Sequence, residues 1–367
     1  MRSLQCARAA AALLVVYYHS VLQLAHVGAA DPWEQPTIDL PLLGKSGVDI
    51  FFVLSGLLIW CSTAESRQTL FTFYSKRLLR IAPLYWFLTL ATATIALLVP
   101  WLLKSTKFDP AHVVASLLFV PWPNPASHGS PQDLMTPPIV PGWTLNFEVF
   151  FYLVFGPCLL APRALRLPAA LLLFGVALSC IRLLGQDIPG IAFYDSGLIL
   201  EFVIGLCLGV LCTTEWRVPA PSAWLLLAAS VDLLLLLDWA GLGIHRLFTS
   251  GIPAGLLLVS LVSLESQGRW PRLPWLVLLG DATYSLYLTH IFVLAGLRIM
   301  LNGVGETMDT WPAQAAFVSL AAALCIAVGI ATYRFIERPL GHALRNTGWL
   351  QTSKAEAVEL TGRMSER

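Results

Sequence analysis

Long apolar segments separated by short polar connections make up most of this chain. Each segment is close to 20 residues long, which is about the length that an α-helix needs to cross a bilayer. We predict ten such spans in the 367 residues, at about 6–25, 47–64, 82–103, 142–161, 168–185, 194–213, 221–239, 246–264, 275–298 and 312–335. The pattern therefore predicts an all-α, polytopic membrane protein with about ten transmembrane helices.

Composition and charge agree with this class. Hydrophobic residues account for 57% of the chain and charged residues for only 12%, against about 25% charged in a typical soluble domain. If the N-terminus is cytoplasmic, 17 of the 23 Lys and Arg residues fall on the cytoplasmic side and 6 on the outer side. Cytoplasmic loops carry such an excess, so both termini are expected in the cytoplasm. The net charge of +1 gives no reason to expect a nucleic-acid partner.

One transmembrane domain is predicted over residues 1–340, followed by a polar cytoplasmic tail over 341–367. The first span is too long for a typical signal-peptide core and has no clear cleavage site, so we interpret it as retained. The largest outer loop, 104–141, has seven prolines in its second half, which favour an extended path. It is either a cover over an outward-facing cavity or a plain linker. The cysteines form no Cys-x-x-Cys pair, and we expect no metal site.

Ionisable residues inside apolar spans are costly, so each is a candidate for function. Arg8 and His19 lie 11 residues apart in the first span. This is close to three helical turns, which puts both side chains on one face, about 16 Å apart along the axis. A neutral imidazole at that depth can accept a proton from a hydroxyl. The spacing alone leaves open a histidine that only hydrogen-bonds within the helix bundle.

Two further spans begin with polar candidates. Glu148, five residues after Trp143 in the fourth span, is expected at a depth similar to that of His19. A carboxylate beside an imidazole can orient it and stabilise its charged form. Asp49 opens the second span, where it either faces a polar cavity or is stabilised by the helix dipole. We count Asp49 and Trp143 as candidates for binding an acceptor or lining a pore.

The third and ninth spans carry candidates at regular spacing. Arg77 and Arg80 are three residues apart and share a helical face, where two guanidinium groups can clamp phosphates; ordinary topology-setting charge is the alternative. Tyr284, Tyr287 and His290 recur every three residues and give a polar stripe. That stripe either lines a substrate path or forms a seam of hydrogen bonds between helices.

Six short blocks, in order along the chain, resemble the membrane-bound acyltransferase family 3, and most closely its bacterial exopolysaccharide and O-antigen O-acetyltransferase branch. They are Arg-x10-His at 8–19, Gly-Val-Asp-Ile-Phe-Phe-Val-Leu-Ser-Gly at 47–56 (with Ile50 as an insertion), Arg-x-x-Arg-Ile-x-Pro-x-Tyr-Trp at 77–86, Trp-Thr-Leu-x-x-Glu at 143–148, Leu-Gly-x-x-Thr-Tyr-Ser-x-Tyr-Leu-x-His at 279–290 and Glu-Arg-Pro at 337–339.

The resemblance implies an O-acyltransferase of the bacterial inner membrane. Its acyl group, preferably acetyl, would come from cytoplasmic acyl-CoA and go to a hydroxyl of an exopolysaccharide, lipopolysaccharide or other surface glycan. Acetyl-CoA would be a co-substrate, with no permanently bound cofactor. His19 becomes the preferred catalytic residue, as base or acyl carrier, with Glu148 and Arg8 in support and donor phosphates held by Arg77 and Arg80.

A rival hypothesis also fits the buried charges. A secondary transporter or exporter of a glycan or lipid-linked precursor would need Arg, His and Glu within its spans as well. Consumption of acetyl-CoA distinguishes an enzyme from such a transporter.

Overall fold

The computed structural model describes residues 1–24, 26–27, 43–64, 68–103, 106–127, 135–185, 187–214, 216–240, 245–303, 308 and 310–346. Within these ranges the regular structure is helical, without β-strands. Nine of the described helices are long and apolar enough to cross a membrane, and the apolar helix Leu198–Cys212 is shorter. Each of the ten predicted spans overlaps one of these helices. The prediction of an all-α, polytopic membrane protein is confirmed.

Fourteen α-helices follow one another in the described part of the chain. They are α1 (Arg2–Leu24), α2 (Ser46–Thr63), α3 (Leu70–Leu98), α4 (Pro110–Leu117), α5 (Trp143–Phe155), α6 (Arg163–Leu184), α7 (Pro189–Ala192), α8 (Leu198–Cys212), α9 (Ala220–Ala240), α10 (Ile252–Ser266), α11 (Pro274–Asp281), α12 (Thr283–Gly303), α13 (Trp311–Thr332) and α14 (Arg338–Asn346). A π-helix, Leu247–Gly251, leads directly into α10.

The chain divides into two compact units. Unit 1 is Met1–Cys61 with Leu200–Tyr333, and unit 2 is Ser62–Ile199 with Arg334–Arg367. Unit 1 therefore holds α1, most of α2, and α8 to α13. Unit 2 holds α3 to α7 and α14.

Three boundaries differ from the predicted ones. The third helix begins at Leu70 rather than near 82, with Thr69 as its N-cap, so Arg77 and Arg80 lie on the helix itself. The ninth predicted span consists of α11 and α12, which are separated at Ala282. The predicted tail from 341 is helical as far as Asn346, and 347–367 lie outside the described residues.

Unit 1 is organised around α1, which contacts α10, α11, α12 and α13. Small side chains make this possible, since a helix lined with alanine lets several neighbours approach its backbone closely. The buried alanines of α1 are Ala7, Ala9, Ala11 and Ala12. The same helix carries Arg8 and His19, so its polar groups lie inside the bundle that its alanines create.

The helices α2 and α8 touch through glycines. A Cβ on Gly56 would lie 2.1 Å from the carbonyl oxygen of Phe202, and a Cβ on Gly205 would lie 2.0 Å from that of Val53. Both distances are far below a normal contact, so the two backbones approach as closely as glycine allows. The interface follows the small-residue rule of membrane helix pairs.

Unit 2 packs α3 against α4, α5 and α14. Part of the predicted proline-rich loop is tied into this unit by hydrogen bonds. Nε2 of the buried His112 donates to the carbonyl oxygen of Thr136 at 3.0 Å, and Nδ2 of Asn124 donates to Oγ1 of Thr136 at 2.8 Å. Thr106 Oγ1 donates to the carbonyl oxygen of Pro138 at 3.0 Å. The described parts of this loop are therefore packed structure rather than a plain linker.

We predict that Gly205→Ala destabilises the protein, because its Cβ meets the backbone of α2. Overpacking of this kind typically costs about 1–3 kcal/mol. The matched control is Gly175→Ala in α6, where a Cβ meets nothing within 4 Å and alanine improves helix propensity. The readout is the thermal midpoint of each purified variant in detergent. Equal midpoints for the two variants would contradict the close approach of α2 and α8.

Candidate active site

Two histidines meet in the middle of unit 1. His19 of α1 and His290 of α12 are 271 residues apart in sequence, yet Nε2 of His290 lies 3.3 Å from Nδ1 of His19. Their ring centroids are 4.9 Å apart with a tilt of 56°. His290 is 0% exposed, while His19 is half-buried. The sequence nominated both residues for different roles, and the structure brings them into one pair.

The partners of the two rings determine which nitrogen carries each proton. Nδ1 of His290 lies 2.7 Å from the carbonyl oxygen of Tyr287, and a carbonyl only accepts, so this Nδ1 is the donor. His290 Nε2 is then an acceptor directed at His19. Nδ1 of His19 lies 2.9 Å from the carbonyl oxygen of Val15 and is likewise a donor, shared between Val15 and His290.

This arrangement leaves Nε2 of His19 as the basic nitrogen. It has no hydrogen-bond partner among the residues that the structure describes. Protonating it would create an imidazolium whose other N–H already faces two acceptors, the Val15 carbonyl and His290 Nε2. The geometry is that of a positioned general base.

Aromatic rings surround the pair. Tyr18 meets the ring of His19 edge-on at 5.3 Å, and Tyr287 lies 6.0 Å from the ring of His290. Tyr287 in turn packs against Phe51 of α2 at 5.9 Å. Of the predicted polar stripe, Tyr287 and His290 are buried and Tyr284 is half-buried. At His290 the stripe contacts α1 through His19, and a role of the stripe in lining a substrate path stays a prediction.

Arg8 lies near the N-terminal end of α1 and is held by a short polar chain. Its Nη1 donates to Oε1 of Gln5 at 3.1 Å, and Nε2 of Gln5 donates to Oδ1 of Asp281 at 2.7 Å. The chain links α1 to the end of α11. Gln5 and Asp281 thus position the side chain of Arg8, and neither residue was predicted as part of the site.

Asp49 belongs to a charge cluster at the N-terminal end of α2. Its Oδ1 accepts from Arg246 at 2.9 Å to Nε and 2.8 Å to Nη2. Nε of Arg246 also lies 3.3 Å from Oε1 of Glu201. Asp49 is 1% exposed and Glu201 is 0% exposed, so two buried carboxylates share one guanidinium. Gly251, in the π-helix, leaves room for Glu201, because a Cβ there would lie 2.9 Å from its Cγ.

Unit 2 holds the remaining candidates. The Tyr152 hydroxyl donates to the carboxylate of Glu148, one turn away on α5. The guanidinium of Arg77 lies over the rings of Phe73 and Tyr152, 5.6 Å and 5.8 Å from their centroids. Its Nη2 also donates to Ser62 Oγ at 2.5 Å. Arg77 is therefore fixed in place within unit 2.

Arg80 and Trp143, also in unit 2, are more open. Arg80 is exposed and Trp143 is half-buried, with the ring of Trp143 edge-on to Phe147 at 6.0 Å. Glu148 lies in unit 2 and His19 in unit 1, so the predicted support of His19 by Glu148 stays a prediction.

Sequence reasoning missed several residues of this site. Glu201 is the one charged residue of the apolar helix α8, so the rule that nominated Glu148 would have found it too. Arg246 pairs with Asp49 across 197 residues of sequence, and no local pattern indicates that contact. Within the described residues, no group of three or more His, Cys, Asp or Glu side chains could hold a metal ion.

The helices of unit 1 enclose a pair of histidines and a cluster of paired charges. The molecule is therefore an integral membrane protein with a polar site inside a helix bundle. Residues 1–332 match the acyltransferase domain of acyltransferase family 3. The chain belongs to this family and is a membrane acyltransferase, as the sequence blocks indicated.

Two relatives agree with this assignment. The chain is 36% identical over 324 residues to the exopolysaccharide production protein ExoZ of Rhizobium meliloti (strain 1021), an alignment that covers 86% of this chain and 96% of that protein. It is 28% identical over 341 residues to the acyltransferase MdmB of Streptomyces mycarofaciens, with 82% of each protein covered. No solved structure matches the chain.

We predict that Arg246→Ala strongly destabilises unit 1, because it leaves Asp49 and Glu201 buried without a counter-charge. Removing one partner of a buried ion pair costs about 3–5 kcal/mol. The control is Arg182→Ala, which breaks an ion pair to Asp195 whose side chains are 53% and 32% exposed, a loss of about 0–1 kcal/mol. Thermal midpoints in detergent provide the comparison. A midpoint for Arg246→Ala at or above that of Arg182→Ala would show that the buried cluster does not stabilise the fold.

Proposed function

We propose that this enzyme transfers an acetyl group from cytoplasmic acetyl-CoA to a hydroxyl of a bacterial cell-surface polysaccharide, in the inner membrane. One observation carries the proposal. Nε2 of His19 is a basic nitrogen without a described partner, on a ring whose other nitrogen is held by Val15 and His290. Family membership supports acyl transfer, and the name of the relative ExoZ supports a polysaccharide acceptor.

The proposed reaction needs one proton acceptor that later becomes a donor. His19 Nε2 takes the proton of the acceptor hydroxyl as its oxygen attacks the thioester carbonyl carbon. A C–O bond forms and the C–S bond breaks, and the CoA thiolate receives the proton from Nε2 of His19. The ester and CoA-SH are the only products, so atoms and charge balance. The sequence also allowed an acyl carrier at His19; we favour the base, because a fixed ring with a shared Nδ1 proton suits proton transfer.

The N-terminal end of α1 would face the donor if the predicted orientation holds. Arg8, held by Gln5 and Asp281, is the proposed phosphate ligand there. Arg77 and Arg80 are the proposed ligands in unit 2, with Arg77 oriented by two aromatic faces and Arg80 exposed. Guanidinium groups suit this task because their fork matches phosphate oxygens.

The opposite end of unit 1 would face the acceptor. There we propose that Asp49 acts through Arg246 rather than by direct contact, since its carboxylate is buried beneath that guanidinium. Tyr284 and Tyr287 precede His290 on α12, which runs in the same direction as α1, so we propose that they line the approach to His19 from the Arg8 side. Trp143 is a proposed acceptor ligand in unit 2. We propose that Glu148, which accepts a hydrogen bond from the Tyr152 hydroxyl, assists the transfer.

We predict that His19→Ala lowers the rate of acetyl transfer by about 100- to 10,000-fold, the usual contribution of a general base. The assay measures CoA release from acetyl-CoA in proteoliposomes, with the unacetylated polysaccharide from a deletion strain as acceptor. His342→Ala is the control, because His342 is exposed on α14, and it should retain full activity. Thermal midpoints of both variants establish that each is folded.

Three outcomes are informative. Near-normal transfer by a folded His19→Ala variant would end the proposed mechanism. Movement of polysaccharide without CoA release would favour the transporter hypothesis. A burst of one CoA released per enzyme in the absence of acceptor would show that His19 carries the acyl group instead of acting as a base.

A further inference from the structure

A buried cation in unit 1, Arg298, has no role among those assigned so far. Arg298 of α12 is 8% exposed, and its Nη1 donates to Oε1 of Gln23 on α1 at 3.1 Å. This is its one hydrogen bond to a described residue, which leaves Nε and Nη2 without partners in the described part of the chain.

The charge of Arg298 is not balanced as that of Arg246 is. Arg246 pairs with both Asp49 and Glu201. Arg298 forms no ion pair with any Asp or Glu in the described ranges. A buried guanidinium that keeps free donors is unfavourable unless an anion completes it. Among the described residues, Arg246 has carboxylate partners and Arg298 has none, so a ligand can supply the anion for Arg298.

The position of Arg298 relative to the histidine pair is fixed by contacts between α1 and α12. His19 meets His290, and four residues later Gln23 meets Arg298. Further along, Nδ2 of Asn302 donates to the carbonyl oxygen of His26 at 3.3 Å. Both helices therefore run in the same direction, and the Arg298 contact lies about 6 Å beyond His19 along α1, by helical rise. Arg298 is on the side of the base away from Arg8.

We propose that Arg298, positioned by Gln23, binds an oxyanion of the acceptor and so selects acidic glycans. This inference rests on the proposed function. A carboxylate on a sugar and the phosphate of a lipid-linked glycan share the required chemistry, since each matches two N–H donors of a guanidinium. With that group held about one helical turn beyond His19, a hydroxyl of the same glycan reaches Nε2 of His19.

The alternative is that Arg298 only joins α1 to α12 through Gln23. The two roles differ in what they predict for the acceptor. A structural contact affects every acceptor equally, whereas an anion site affects only acceptors that carry the anion. Gln23→Ala removes the hydrogen bond that joins α1 to α12 at Arg298 and keeps the charge of Arg298, so it serves as the matched control.

The test uses the full-length protein in proteoliposomes and four acceptors. They are the unacetylated acidic polysaccharide of a deletion strain, the same polysaccharide after chemical reduction of its carboxylates, and a lipid-pyrophosphate-linked oligosaccharide compared with its released form. Arg298→Gln, Arg298→Lys and Gln23→Ala are compared with wild type by CoA release. Because a charge-assisted hydrogen bond to an ionised group is strong, Arg298→Gln should raise KM for the anionic acceptor about 10- to 100-fold. Its kcat should be little changed, and Arg298→Lys should fall between it and wild type.

The acceptor for which KM rises identifies the source of the anion. A KM rise on the acidic polysaccharide that disappears after carboxylate reduction assigns Arg298 to a sugar carboxylate. A rise confined to the lipid-linked form assigns it to phosphate. Equal KM changes for Arg298→Gln on anionic and neutral acceptors overturn the proposal. Gln23→Ala, which keeps the charge of Arg298, should raise KM less than Arg298→Gln does and only for the anionic acceptors. If wild type releases no CoA with any acceptor, the proposed function itself fails and this inference fails with it.

Discussion

The contact between the imidazoles of His19 and His290 is the interaction on which the rest of the site depends. Inside apolar helices a polar side chain has no water to satisfy it, so its partner must come from its own backbone or from another helix. Val15 supplies the first kind of partner and His290 the second. Together they fix the ring and leave one basic nitrogen, which is what proton transfer requires.

The same constraint explains why α1 lies at the centre of unit 1. Its alanines allow four helices to pack against it, and several of its polar residues contact one of these helices. Ser3 and the start of α1 are bound by Glu265 of α10, with Ser3 Oγ 2.5 Å from Oε2. Gln5 meets α11, and His19 and Gln23 meet α12. The helix therefore carries a row of polar contacts from its N-terminal end, where Arg8 lies, to Gln23, where Arg298 lies.

Much of this arrangement was readable from the sequence, because its causes are local. Apolar length predicted the spans, and the 11-residue spacing placed Arg8 and His19 on one side of a helix. The start predicted for the third span, near 82, was wrong, because Lys76, Arg77 and Arg80 interrupt the apolar sequence before it. The helix instead continues to Leu70, since long basic side chains can extend from an apolar helix toward its polar end.

Pairings between distant residues were not readable. His19 with His290, Asp49 with Arg246, and Gln23 with Arg298 join residues separated by 271, 197 and 275 positions. Periodicity shows which face a residue occupies but not which helix covers that face. Glu201 is a different case, because its isolated charge in the apolar helix α8 is visible in the sequence.

The most direct test of the account is an experimental structure of the wild-type protein bound to a thioether analogue of acetyl-CoA that cannot release its acyl group. Reacting atoms in a productive complex lie about 3–3.5 Å from one another. We expect the acyl carbonyl beside His19, with room for a hydroxyl between it and Nε2, and His290 still in contact with Nδ1. An acyl group bound elsewhere, or an imidazole of His19 turned toward lipid, would contradict the assignment of the base.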